Sequence, residues 1–170
     1  KLIKKGDTLI EATSGNTGIA FAMLAAERGY KMKIVMPSNM SEERKQMLKF
    51  YGADLIQVEA GDFDGAIETR DTMAESFGWF NCNQFHNPLN VLAHYNTTGP
   101  EIDKQFRKAN AYEQIWPWPQ AFVAGTGTGG TIMGCGGYLK EKFNITHASN
   151  LETSNYILNT SNIISNDDVP

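Results

Sequence analysis

The chain has only two cysteines in 170 residues, no apolar run near the length of a membrane span, and no excess of basic charge. Cys82 and Cys135 lie far apart without metal-ligand spacing. That excludes a disulfide framework or a cysteine metal site and leaves two reduced, packed thiols. A net charge of −4 gives nucleic acid nothing to bind. A membrane helix needs about 20 apolar residues, and the N-terminal stretch carries no signal-peptide core. The expected setting is the cytoplasm, with no nucleic acid, no membrane and no metal.

Two glycine-rich turns stand out in what is present. In the first, Thr8-Leu9-Ile10 reads as a strand, Glu11 to Gly18 as a turn, and Ile19 to Ala26 as a strong helix former. Gly15 is read as the residue whose backbone a side chain would resist. Unpaired N–H groups and the positive end of the helix dipole meet the hydroxyls of Thr13, Ser14 and Thr17 and the amide of Asn16. This suits a carboxylate, and it equally suits an ordinary capped helix with a polar loop.

The second turn, Gly125 to Thr131, follows Phe122-Val123-Ala124 and precedes a helix over Ile132 to Phe143. Its glycines let N–H groups approach a phosphate, with threonine hydroxyls completing the cup. Gly125, Gly127 and Gly130 formally satisfy a dinucleotide fingerprint. That site also needs an acidic residue about 20 positions on, at the end of a strand that is not legible here. Gly130 stands where a nucleotide P-loop has lysine, which sets ATP and GTP aside.

Between the turns the periodicity predicts strands at 31–36, 54–58 and 79–83. Gly29 ends the first helix, Ser41 caps the second, and a third runs over 64–77 with Ala66, Ile67, Arg70, Met73, Ala74 and Phe77 at helical spacing. Such alternation argues for an α/β fold, a parallel sheet with flanking helices. Ligands of such sheets gather at the carboxyl ends of the strands, where Gln84 is expected. Residues 90–110 read as mostly helical with a break at Gly99-Pro100, and His94 as a packing or capping histidine.

The runs Gly6 to Ala20, Met40-Ser41-Glu42-Glu43-Arg44, Gln84-Phe85, Ala93-His94-Tyr95, Thr97 to Ile102 and Gly127 to Thr131 resemble the cysteine synthase and cystathionine β-synthase family of pyridoxal-phosphate enzymes. Ile10-Glu11-Ala12-Thr13 and Ala93-His94-Tyr95 are most similar to its cysteine synthase B branch. The resemblance implies the tryptophan-synthase-β-like architecture called fold type II, here truncated at both ends. It implies an αβ subdomain over 1–92, part of the larger cofactor domain over 93–143, and a divergent tail over 144–170 that lacks Lys, Arg and Gly.

By the same resemblance, Thr13, Ser14, Asn16, Thr17 and Gln84 hold the substrate carboxylate. Asn16 also meets the phenolic oxygen of pyridoxal 5′-phosphate, and Gly127, Thr128, Gly129, Gly130 and Thr131 hold its phosphate. The implied reaction joins an activated serine such as O-acetylserine to sulfide, giving cysteine, in a homodimer. The family's Schiff-base lysine lies about 30 residues before the first turn, upstream of Lys1, so no catalytic residue is assigned and the 170 residues alone are expected to be inactive. Two other readings are a short non-catalytic relative that binds an amino acid or a partner protein, and a dinucleotide-binding module.

Overall fold

A computed structural model of the chain describes residues 3–13, 15–113, 119, 121–143 and 148–150, with backbone only for 110–113 and 148–150. Ser14, the Trp116-Pro117-Trp118 stretch and the tail beyond 150 lie outside the described residues. The chain divides into two compact units, Lys1–Asn83 and Gln84–Pro170.

The first unit is a four-stranded parallel sheet in the order β3-β2-β1-β4. Its strands are β1 (Thr8–Ala12), β2 (Lys31–Pro37), β3 (Asp54–Val58) and β4 (Phe80–Asn81). Helices α1 (Asn16–Arg28), α2 (Glu42–Phe50) and α3 (Phe63–Phe77) connect them. Side chains alternate along each strand, and both faces are covered, which is why the strands read as nearly continuous apolar runs. Leu9, Met32, Ile34 and Met36 pack with Ala22 and Ala25 of α1 and Leu48 of α2. On the other face Ile10, Ala12 and Val35 meet Ala66 and Ala74 of α3. Each large aliphatic side chain buried here contributes about 1.5–3 kcal/mol. Gly29 ends α1 in the left-handed region, at φ 72°, as the sequence predicts.

The fourth strand is shorter than the 79–83 expected, because only Leu9 and Ile10 of β1 pair with it. Asn83, two residues past its end, turns the chain away with φ 50°, a conformation asparagine tolerates better than most residues.

The second unit is built mainly of helices: α4 (Pro88–Ala93), a π-helical turn (His94–Thr98), α5 (Gly99–Glu113) and α6 (Gly130–Phe143). The expected break at Gly99-Pro100 does not occur. Gly99 is helical, with φ −58° and ψ −53°, and Pro100 lies in the first turn of α5, where its missing N–H costs little. Strands β5 (Phe122–Ala124) and β6 (Ala148–Asn150) pair in parallel. The strand that is not legible after α6 therefore exists. Ala-Ser-Asn has no β-propensity to announce it, and the pairing with β5 defines it.

α6 packs through what it lacks. A Cβ at Gly134 would lie 2.6 Å from His94 Cβ and 2.8 Å from Tyr95 N. A Cβ at Gly99 would lie 2.8 Å from Tyr138 Cβ. These glycines let the backbones of α6, the π turn and α5 approach more closely than side chains would allow.

Candidate functional site

β1 delivers the chain into the first turn. Thr13 N donates to Val35 O at 3.0 Å, which extends the β1–β2 ladder by one bond. Gly15 N then donates to Thr13 Oγ1 at 3.3 Å, and Gly18 N to Gly15 O at 3.1 Å, as α1 begins. Gly15 is not the constrained residue. Its φ of −135° and ψ of −151° are extended, and a Cβ there would meet nothing within 4 Å. The close approach belongs to Gly18, where a Cβ would lie 2.6 Å from Thr13 Cγ2. Asn16 is exposed, and Thr13 and Thr17 are half-buried. Ser14 lies outside the described residues.

Directly beneath this turn lies a charge network that the sequence did not disclose. Arg70 of α3 is 1 % exposed and Glu11 of β1 is fully buried. Arg70 Nη1 donates to Glu11 Oε1 at 2.9 Å, and Ala12 N donates to the same oxygen at 2.8 Å. Arg70 Nε and Nη2 reach Asp71 Oδ1 at 2.9 and 2.8 Å. Asn81 Nδ2 donates to that oxygen at 2.7 Å. Buried charges persist only when paired and hydrogen-bonded, as here. Burial pushes the Cys82 thiol up to about 12, with the Glu11 carboxylate adding to the rise and Arg70 opposing it. Cys82 is therefore a packed, unreactive thiol. Burial raises Cys135 as well.

The second turn bends through Gly127, Thr128 and Gly129, the last at φ 81°, and opens α6 at Gly130. Met133 N donates to Gly129 O at 2.9 Å, starting the helix there rather than at Ile132. Side chains from α4 and the π turn brace it. Asn90 Nδ2 donates to Gln84 O at 3.1 Å and to Thr128 Oγ1 at 2.8 Å. His94 Nε2 lies 3.3 Å from Thr131 Oγ1, and its Nδ1 lies 2.9 Å from Thr98 Oγ1. Gln84 and Thr128 are thus brought together through Asn90. His94 holds hydroxyls on either side, in keeping with a packing role. Asn90 was missed, although an asparagine among Leu89, Val91 and Leu92 is a poor helix former standing where only a specific bond justifies it.

Of the helices of nine residues or more, α2, α3 and α5 carry Glu42 and Glu43, Asp64, and Glu101 in their first turns. α1 and α6 carry no acidic residue there. The two helices that follow the glycine turns thus carry no carboxylate of their own in the first turn, at the positive end of the dipole. Among the described residues no group of three or more His, Cys, Asp or Glu is placed to hold a metal. Among them, too, no helix is long and apolar enough to cross a membrane.

A family model described as pyridoxal-phosphate dependent enzyme matches residues 1–157. The chain belongs to that family. Within it, the chain is 48% identical over 142 residues to cysteine synthase B of Salmonella typhimurium, covering 82% of this chain and 44% of that protein. It is 44% identical over 142 residues to a cysteine synthase of Staphylococcus aureus, covering 83% and 43%. A hydrogen sulfide-producing enzyme of Fusobacterium nucleatum superposes with a TM-score of 0.78 at 41% identity, over 88% of this chain and 44% of that one. The chain thus spans less than half the length of these pyridoxal-phosphate relatives. Its parallel sheet with flanking helices is part of their fold, and this family membership displaces the dinucleotide-binding reading.

The residues of the second turn suit the family's cofactor. The N–H groups at the start of α6 and the hydroxyls of Thr128 and Thr131 are donors fit for a phosphate, and Gly127 leaves open space where a Cβ would stand.

Proposed function

We propose that the protein of which this chain forms part makes L-cysteine from O-acetyl-L-serine, or a related activated serine, and sulfide. Pyridoxal 5′-phosphate when bound supplies the electron sink for replacement at the β-carbon. The chain's own contribution is binding and orientation. Thr13, Ser14, Asn16, Thr17 and Gln84 hold the amino acid's carboxylate, and Asn16 also meets the cofactor's phenolic oxygen. Gly127, Thr128, Gly129, Gly130 and Thr131 hold the phosphate. Charge-assisted hydrogen bonds of this kind contribute about 1.5–3 kcal/mol each. The same reading carries the homodimer and the cytoplasmic setting that the resemblance implies.

The observation that supports this reading best is the pairing of two strand-turn-helix units whose helices, α1 and α6, alone among the longer ones lack a first-turn carboxylate. The test uses the full chain as its gene encodes it. Pyridoxal 5′-phosphate should bind saturably and pyridoxal far more weakly, and the loaded protein should form cysteine from O-acetylserine and sulfide. Equal binding of the two vitamers would remove the phosphate cup and the proposal with it.

A further inference from the structure

Thr128 is the one cup residue whose hydrogen-bond polarity can be worked out atom by atom. Asn90 faces it with the same nitrogen that faces Gln84 O, at 2.8 and 3.1 Å. A backbone carbonyl only accepts, so the Asn90 atom opposite Gln84 O must be the NH2 group. That fixes the orientation of the amide and makes Asn90 a donor to Thr128 Oγ1. Gly130 N donates to the same oxygen at 3.4 Å. A hydroxyl has two lone pairs and one proton, and both incoming N–H groups take lone pairs. The proton of Thr128 is left for an acceptor outside this set.

Gly130 makes the arrangement sterically feasible, since a Cβ there would collide with the Asn90 amide. We infer that Asn90 is a positioning residue that turns the Thr128 hydroxyl into a committed donor toward the bound phosphate, while its bond to Gln84 O ties the cup to the backbone of a substrate-holding residue. This rests on the proposed function and adds to it the residue that sets the direction of the cup. The benefit is preorganisation: the donor is aimed before the anion arrives.

The test is a double-mutant cycle in the full chain, reading the dissociation constant of pyridoxal 5′-phosphate with pyridoxal as the control. Thr128→Val should weaken binding of the phosphate form by about tenfold or more, and Thr128→Ser should restore most of it. Asn90→Ala should weaken it about fivefold when Thr128 is present and less than twofold in the Thr128→Val background. Asn90→Asp should be at least as damaging as Asn90→Ala, because a carboxylate would draw the Thr128 proton to itself and repel the phosphate. Should Asn90→Ala not fold, Asn90→Ser enters the same cycle. Equal losses from the Asn90 substitution in both backgrounds would mean that it only supports the turn, and would overturn the inference while leaving the proposed function standing. An unsubstituted chain that binds both vitamers alike would overturn the proposed function first.

Discussion

The two units present the same local pattern, strand, glycine turn and helix, and support it by opposite means. In the first unit the turn after β1 stands on a sheet filled with side chains. Ile10, Ile34, Val35 and Met36 are fully buried, and a buried ion pair, Arg70 to Glu11, lies just below. In the second unit α6 is brought against its neighbours by missing side chains at Gly130 and Gly134, and the turn is tied down by Asn90 and His94. One turn is held from beneath by volume and charge, the other from the side by hydrogen bonds. Substitutions should therefore fail differently in the two.

The largest effect is expected at Arg70. Arg70→Met would leave Glu11 buried without its cation, a loss of about 3–5 kcal/mol. The paired change Glu11→Leu with Arg70→Met should recover much of that, since a well-packed apolar pair replaces two desolvated charges. Urea denaturation of the native sequence and of these two variants tests this. A single-variant loss below about 1 kcal/mol would show that the pair is less isolated from water than its burial indicates.

The glycines come next and set the two units directly against each other. Gly134→Ala would press a methyl onto His94 Cβ and the backbone at Tyr95, which belong to a helical run that cannot yield. A cost of about 2–3 kcal/mol for overpacking outweighs the roughly 1 kcal/mol that alanine gains in helix propensity. Gly18→Ala would meet Thr13 Cγ2 at 2.6 Å, but Ile34 and Leu48 only at ordinary contact, 3.5 and 3.6 Å. Its cost should be smaller, about 1 kcal/mol. Gly15→Ala should fall within about 0.5 kcal/mol of no change. The order Gly134, Gly18, Gly15 in thermal unfolding is the result expected, and a reversal of the first two would undo the contrast between the units.

How far the sequence discloses this follows from what each feature depends on. The alternation from β1 to α3, the end of α1 at Gly29 and the start of α2 after Ser41 were legible because they rest on local pattern. Arg70 was visible only as a residue at core spacing in α3. Its partner Glu11 lies 59 positions away, and no local rule connects them. Gly99-Pro100 reads as a break because glycine and proline usually signal one, whereas the helical run continues through it and the irregularity is the π turn just before, His94–Thr98. β6 was invisible because its three residues owe their form to β5. Asn90 was overlooked because its meaning depends on Thr128, 38 residues on.

Cys82 gives a smaller effect with a clear sign. Its thiol is raised to about 12 in the folded protein, from an ordinary value of 9.0. The folded state therefore holds its proton more tightly than the unfolded chain does. This contribution is fully present below pH about 9 and is lost as pH rises from there toward 12. The unfolding midpoint should fall between pH 8 and 10 more steeply in the native sequence than in Cys82→Ala. Native Cys82 should also resist thiol reagents at pH 8 until denaturant is added.

The smallest effect concerns a third helix start, and it bears on why α1 and α6 differ from the rest. At α2 the chain supplies its own anion. The backbone N–H of Glu43 and then the Ser41 hydroxyl hold the Glu43 carboxyl below its ordinary value of 4.5. A carboxyl lowered in the folded state stabilises it above the unfolded value, and that contribution is lost as pH falls through the lowered one. Glu43 is fully exposed, so water and salt screen the interaction and the shift in acid midpoint should be slight. Glu43→Gln should flatten the acid limb of the unfolding profile, and Ser41→Ala should remove part of the same dependence. The corresponding experiment at α1 and α6 has no side chain to remove. There the acid limb should stay unchanged by substitution in the turns and, as the proposed function requires, should respond instead to added phosphate or to an amino acid's carboxylate.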